Sequence, residues 1–182
     1  VILRLLGGVR HHRGIAAGSS PFFRWQLRAP FAHVVSSEDG SDPAMVVPRL
    51  LRPGVPWSVR LNGCDATPLS DSDMEAVRAG LGLGSRPIVG FLGRLETQKG
   101  VLPFIDAALA VLTRAPDCAD FLVIGEGPLR AEMEARVRAA GQSKRVHFLG
   151  AQPHAQAYRC LAACDIYVSV NLFGNISNAN LE

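Results

Sequence analysis

From residue 87 onward the chain alternates two hydrophobic periods, and that alternation leaves few folds open to it. Pro87-Ile88-Val89-Gly90-Phe91-Leu92 is an unbroken apolar run of strand length. Pro103 then opens a helix where a missing N–H does no harm, with Leu102, Ile105, Leu109 and Leu112 on one face. Phe121 to Ile124 reads as a second strand and Gly125-Glu126-Gly127 as a turn. Pro128 starts the next helix, whose stripe is Leu129, Met133 and Val137 and whose end is Gly141. A strand from Val146 to Leu149 follows. A helix with Ala155, Tyr158, Leu161 and Ala162 on one side and a strand from Ile166 to Val170 complete the series. Strands separated by helices of this length form right-handed βαβ units around a parallel sheet. The expected fold is α/β, a doubly wound Rossmann-like domain.

The first 60 residues carry no such rhythm. Val1 to Leu6 has the length of a short strand before Gly7-Gly8. Phe22 to Leu27 and Ala32 to Val35 are brief apolar pieces between Pro21, Pro30 and a polar loop. None is long enough to close a core by itself. Pro53 and Pro56 mark a connector and Asn62-Gly63 a turn. The expected division is a partial domain over 1–60 and an incomplete Rossmann-like domain over 61–182. The start at Val1 and the stop at Glu182, directly after a turn-like run, read as a fragment truncated at both ends.

Composition removes several function classes. Apolar residues are 48% and charged residues 19% of the 182, which is too apolar and too weakly charged for a disordered chain. Arg4, Asp106 and Asp165 interrupt the most apolar stretches, so no membrane-spanning helix is expected. The net charge of +3 is uneven, because residues 1–60 hold eight arginines against three acidic residues. A solvated basic face explains that excess, and peripheral contact with an anionic membrane is the alternative. No basic segment is interleaved with aromatics, so a nucleic-acid partner is not expected. Cys64, Cys118, Cys160 and Cys164 lie at irregular spacings and complete no zinc site. Cys160 and Cys164 read as small packed side chains in a reducing compartment.

In a sheet of this kind ligands bind beyond the carboxyl ends of the strands, at loops that run into helix N-termini. The loops in question are 93–100, 125–128, 150–153 and 171–181. The first, Gly93-Arg94-Leu95-Glu96-Thr97-Gln98-Lys99-Gly100, places two cations just before a helix. A guanidinium fork and an ammonium beside unpaired N–H groups suit a diphosphate; an ordinary solvated basic loop is the plainer alternative. Gly80-Leu81-Gly82-Leu83-Gly84 imitates a dinucleotide-binding loop, but it precedes the first strand and no helix follows to receive phosphate. It reads as a helix end and connector. Glu126 closes the second strand, where such folds place a ribose-binding acid. It lies 33 residues after Gly93, against about 20 for that fingerprint, and a turn acid between glycines is the competing role. His147 in a strand and His154 at a helix start are read as packed or exposed histidines rather than catalysts. In the final loop, Asn175, Ser177 and Asn178 suit anion binding by main-chain N–H groups, and Glu182 could accept from hydroxyl groups.

Taken in order, four segments resemble glycosyltransferase family 4, the group 1 glycosyltransferases. They are Gly93-Arg94-Leu95…Lys99-Gly100, Gly125-Glu126-Gly127-Pro128-Leu129, Val146-His147-Phe148-Leu149-Gly150 and Gly174…Leu181-Glu182. Arg60-Leu61-Asn62-Gly63-Cys64-Asp65 resembles the segment leading into that family's donor domain, so the likeness covers roughly residues 58–182. The resemblance implies the donor-binding half of a retaining GT-B glycosyltransferase. It implies that Arg94 and Lys99 grip the donor diphosphate as the catalytic cations. It implies further that Glu182, the second of two paired glutamates, holds the nucleotide ribose. Gly174 stands where the first glutamate belongs, so the main chain of Asn175 to Asn178 would supply the sugar contacts. The implied donor site is thus Gly93, Arg94, Lys99, Glu126, Leu149, Gly150, Asn175, Ser177, Asn178 and Glu182, with no metal. No cofactor is implied beyond the nucleotide-diphosphate sugar as co-substrate.

The reaction this implies is sugar transfer in the cytoplasm to a glycan, lipid-linked or small-molecule acceptor. A departing diphosphate gains negative charge in the transition state, and Arg94, Lys99 and helix N–H groups would stabilise it without a divalent cation. No side chain offers a convincing covalent nucleophile. The fragment alone is expected to be inactive, because residues 1–60 represent only part of an acceptor-side domain. Two other classes remain open at this point. One is a nicotinamide-dependent oxidoreductase, disfavoured by the misplaced glycines; the other is a non-catalytic nucleotide-binding module.

Overall fold

A computed structural model of the chain describes residues 2–5 (main chain), 25–38, 42–61 and 68–171. They form two compact units, within Val1–Cys64 and within Asp65–Leu172. In the first, strands β1 (Ile2–Leu5), β2 (His33–Ser37) and β3 (Trp57–Arg60) make a parallel sheet in that order. Helix α1 (Pro43–Leu50) connects β2 to β3. Here the structure corrects the expectation from sequence, since Leu27, Val34, Val47, Leu50 and Leu51 do close a small core. Its members come from a loop, a strand and a short helix with Pro48 inside it, so no single segment shows the period that would announce it.

The second unit opens with α2 (Asp71–Gly80), capped by Ser70, whose hydroxyl accepts from the Asp73 N–H at 3.2 Å. The helix ends in a left-handed glycine, Gly82 at φ +68. The Gly82 N–H donates to the Ala79 carbonyl at 3.0 Å and the Leu83 N–H to the Arg78 carbonyl at 2.9 Å. The glycine-rich run at 80–84 is therefore a helix terminus, as its place before the first strand implied.

The chain then alternates. It runs through β4 (Ile88–Leu92), a 3₁₀ turn at Thr97–Lys99, α3 (Val101–Arg114) and β5 (Asp120–Ile124). After them come α4 (Arg130–Ala139), β6 (Val146–Gly150), α5 (His154–Ala162) and β7 (Ile166–Tyr167). The strands are parallel in the order β6-β5-β4-β7, which is the Rossmann-like arrangement expected. The last strand is shorter than the apolar run suggests: only Ile166 and Tyr167 pair with β4, although the Val168 N–H still donates to the Gly90 carbonyl at 2.9 Å.

Two helices are turned relative to the faces read from sequence. In α3 the buried stripe is Val101, Phe104, Ile105, Ala108 and Leu112, with Leu102 and Leu109 at its margin. Phe104 decides this, because its ring lies between Phe91 and Phe121 at centroid distances of 5.2 and 6.2 Å. In α5 the buried residues are Ala157, Cys160 and Leu161, and Ala155 is exposed. Small side chains face the sheet there because the contact is close: a Cβ on Gly90 would meet the Cys164 Sγ at 2.6 Å. Burial pushes the Cys164 thiol up to about 12 and raises Cys160 as well. These two thiols are packing groups, as expected, and not nucleophiles.

Asp165, just before β7, joins the amino end of the sheet to α2. Its carboxylate accepts from the Ile88 N–H at 2.7 Å and from Arg78 at 2.8 Å, while the Arg78 Nε donates to the Ala163 carbonyl at 3.0 Å. The Ile88 bond, and after it the Arg78 guanidinium, hold the Asp165 carboxyl below the ordinary carboxylate range. A lowered folded pKa confers stability above the unfolded value and loses it as pH falls through the folded value. Asp165→Asn is therefore expected to flatten the acid limb of thermal stability below about pH 4. At neutral pH it should cost about 1 kcal/mol, below the roughly 1.5–3 kcal/mol of buried charged hydrogen bonds, because the carboxylate is 44% exposed and screened. Melting curves of the two proteins across that pH range check both statements; parallel acid limbs would refute them.

Candidate functional site

The carboxyl ends of β4, β5 and β6 are joined by main chain rather than by side chains. The Gly93 N–H donates to the Ile124 carbonyl at 3.0 Å, and the Gly125 N–H to the Gly150 carbonyl at 2.8 Å. Beyond them the Leu95 N–H donates to the Glu126 carbonyl at 2.8 Å, and the Leu129 N–H returns to the Leu95 carbonyl at 3.0 Å. Leu95 is fully buried, which anchors the loop in the core. The glycines here permit contact between backbones. A Cβ on Gly125, at φ +136, would lie 1.9 Å from the Gly93 carbonyl oxygen. One on Gly100, at φ +66, would lie 2.0 Å from the Val170 carbonyl oxygen.

On this frame stands the 93–100 loop with its two cations. Arg94 projects between Gly93 and Leu95, its side chain 77% exposed, and its Nη2 lies 2.9 Å from Glu96 Oε1. Lys99 ends the 3₁₀ turn, directly ahead of the left-handed cap Gly100. It is half-buried and pairs with no carboxylate among the described residues. Val101 and Leu102 then supply the first N–H groups of α3, which have no partner within the helix. The sequence thus brings a guanidinium, an ammonium and the positive end of a 14-residue helix to one loop. Such a combination suits a multiply charged anion, with the Arg94 charge partly offset by Glu96.

At the end of β6 the ladder skips a residue. Val123 pairs with Phe148 and Ile124 with Gly150, so Leu149 is bulged out of register and its carbonyl accepts instead from the Gln152 Nε2 at 2.7 Å. The Leu149 side chain packs against the core. Gly150, at φ +72, faces the Glu126 carboxylate, which pairs with Arg130. Glu126 is therefore held in the turn by its own helix. Glu96, Arg130, Glu134 and Gln152 carry no role in the sequence reading; the spacing of Glu126, Arg130 and Glu134, four apart twice, is the signal that points to Arg130 and Glu134. His147 lies in β6 toward the opposite end of the sheet, its Nε2 3.5 Å from the buried Asp120. His154 begins α5. Gly174, Asn175, Ser177, Asn178 and Glu182 lie outside the described residues. Among the described residues no group of three or more His, Cys, Asp or Glu side chains could hold a metal ion, and no helix is long and apolar enough to cross a membrane.

The family model described as glycosyl transferases group 1 matches residues 86–182, more than half of the chain. The chain belongs to the group 1 glycosyltransferases. Its relatives include the alpha-D-kanosaminyltransferase of Streptomyces kanamyceticus, 41% identical over 46% of this chain and 22% of that protein. The 2-deoxystreptamine N-acetyl-D-glucosaminyltransferase of Streptomyces fradiae is 31% identical over 94% of this chain and 40% of its own length. This group 1 chain thus spans less than half the length of either relative. Its fold is shared with the crystal structure of Anabaena HepE in complex with UDP and glucose, at a TM-score of 0.70 and 21% identity, over 93% of this chain and 46% of that one.

Proposed function

We propose that this chain forms the donor-binding side of an enzyme that moves a sugar from a nucleotide diphosphate to an acceptor hydroxyl. The observation that carries the reading is the loop between β4 and α3. Arg94 and Lys99 stand there beside a helix N-terminus, at the carboxyl edge of a parallel sheet. In such a transfer the bond from the anomeric carbon to the diphosphate oxygen breaks, and the electron pair leaves with the diphosphate. Cations already fixed at that oxygen stabilise the departing charge without reorganising. Retention is part of the reading: the acceptor oxygen attacks from the face that the diphosphate leaves, and its proton passes to the departing diphosphate oxygen. Glu182 and the main chain of residues 175–178 would hold the ribose and sugar, and Gly93 and Gly150 would bring main chain close to the donor.

The related Streptomyces enzyme named for 2-deoxystreptamine makes a small aminocyclitol the first acceptor to try, and UDP-glucose is the first donor to try. Lipid-linked and glycan acceptors form the comparison set, and binding to anionic vesicles tests the contact proposed for the basic N-terminal segment. Metal independence belongs to the same proposal, because Arg94 and Lys99 would offset the charge that a divalent ion otherwise meets. Transfer is expected to persist in EDTA. Complete loss that magnesium or manganese restores would overturn the role given to Arg94 and Lys99.

A further inference from the structure

We infer that Arg130, a residue outside the 93–100 loop, is the positioning residue that sets where Arg94 stands. The inference rests on the donor reading above only for its consequence, not for its geometry. Arg94 is held by its two neighbours. Gly93 donates to Ile124, Leu95 donates to Glu126, and Leu95 accepts from Leu129. Each of those bonds ends on the segment 124–129, so the place of Arg94 is the place of that turn.

Main-chain bonds tie the turn at its ends, from the Gly125 N–H to the Gly150 carbonyl and from the Arg130 N–H to the Gly127 carbonyl. Glu126 sits between Gly125 and Gly127, two residues that restrict φ and ψ least. The Glu126 side chain adds a restraint at the centre of the turn. The carboxylate receives the Arg130 Nη1, and the Arg130 Nε is held in turn by Glu134 Oε1 at 2.8 Å. Gly150 closes the other side, since a Cβ there would meet Glu126 Oε1 at 2.9 Å and the Arg130 Nη1 at 3.0 Å. The planar guanidinium is what allows one side chain to bind both carboxylates in fixed directions. With Arg130 in place the Glu126 peptide is locked, and its carbonyl points at the Leu95 N–H.

An exposed pair of this spacing adds little to global stability. A reactive group displaced by about 1 Å, however, can lose on the order of a hundredfold in rate. That contrast separates positioning from plain support. In Arg130→Met, hydrogen exchange at the Leu95 amide is expected to rise by about tenfold or more while the β5 amides Phe121 to Val123 stay protected. UDP affinity, read by calorimetry on the full chain, is expected to fall by about tenfold, but by less than about twofold when Arg94 is already alanine. Arg130→Lys, able to reach only one carboxylate at a time, should fall between. Unchanged exchange at Leu95 would overturn the inference, and so would equal losses of UDP affinity with and without Arg94. Faster exchange in a chain that binds no nucleoside diphosphate at all would uphold the brace and refute the donor reading instead.

Discussion

Alanine at Lys99 is expected to lower kcat/KM for sugar transfer by about a hundredfold to a thousandfold, the usual loss when one preorganised donor to a developing anion is removed. Lys99 should matter more than Arg94, and the structure says why. Arg94 already lies 2.9 Å from Glu96, so part of its charge is compensated before any ligand arrives. Lys99 has no carboxylate partner among the described residues, so none of them offsets its charge. It follows that Glu96→Gln should tighten nucleotide binding modestly by releasing Arg94, whereas Arg94→Lys should weaken it, because a single ammonium cannot reproduce the guanidinium fork. Steady-state kinetics and nucleotide binding of the Lys99→Ala, Arg94→Lys and Glu96→Gln variants of the whole enzyme decide the order. A Lys99→Ala enzyme as active as the parent would remove the catalytic role.

The largest loss of stability is expected from a single methyl group at Gly125. Alanine there would adopt φ +136 and bring its Cβ to 1.9 Å from the Gly93 carbonyl oxygen. Backbone strain of about 1–3 kcal/mol and overpacking of about 1–3 kcal/mol add at this site. Against a typical total of about 5–15 kcal/mol, that is enough to unfold much of the unit at moderate temperature. Gly141 is the natural comparison. It too is left-handed, at φ +69, but a Cβ there meets nothing within 4 Å, so Gly141→Ala should cost only about 1–2 kcal/mol. Urea denaturation of the two variants tests the distinction. Equal shifts would mean that the close approach of the β4 and β5 loops is not what Gly125 provides.

The same contrast shows which parts of the molecule a sequence can reveal. The strands β4, β5 and β6 are legible because each is a continuous apolar run, and α4 because Pro128 and Gly141 bracket it. The loop cations are legible because a parallel sheet fixes which loops face a ligand. The stripe of α3 was displaced because the choice between neighbouring apolar residues is made by Phe91 and Phe121, which are distant in the chain. The small core of the first unit was missed for a related reason: Leu27, Val34 and Val47 meet only after the sheet has formed. In the sequence Gly125 reads as part of a turn and Gly100 as the end of a loop. Gly125 and Gly100 serve instead as contacts between two backbones, which no local pattern encodes. Glu126 shows the limit most clearly: the Gly-Glu-Gly turn is visible in the sequence, and nothing in that tripeptide announces its pairing with Arg130.

Calorimetric titration with UDP, GDP, ADP and NAD tests the central claim most directly, because it asks what the loop between β4 and α3 holds. The account predicts that at least one nucleoside diphosphate binds more tightly than NAD, and that this preference disappears when Arg94 and Lys99 are both alanine. Tighter binding of NAD, or diphosphate binding that survives the double substitution unchanged, would contradict it.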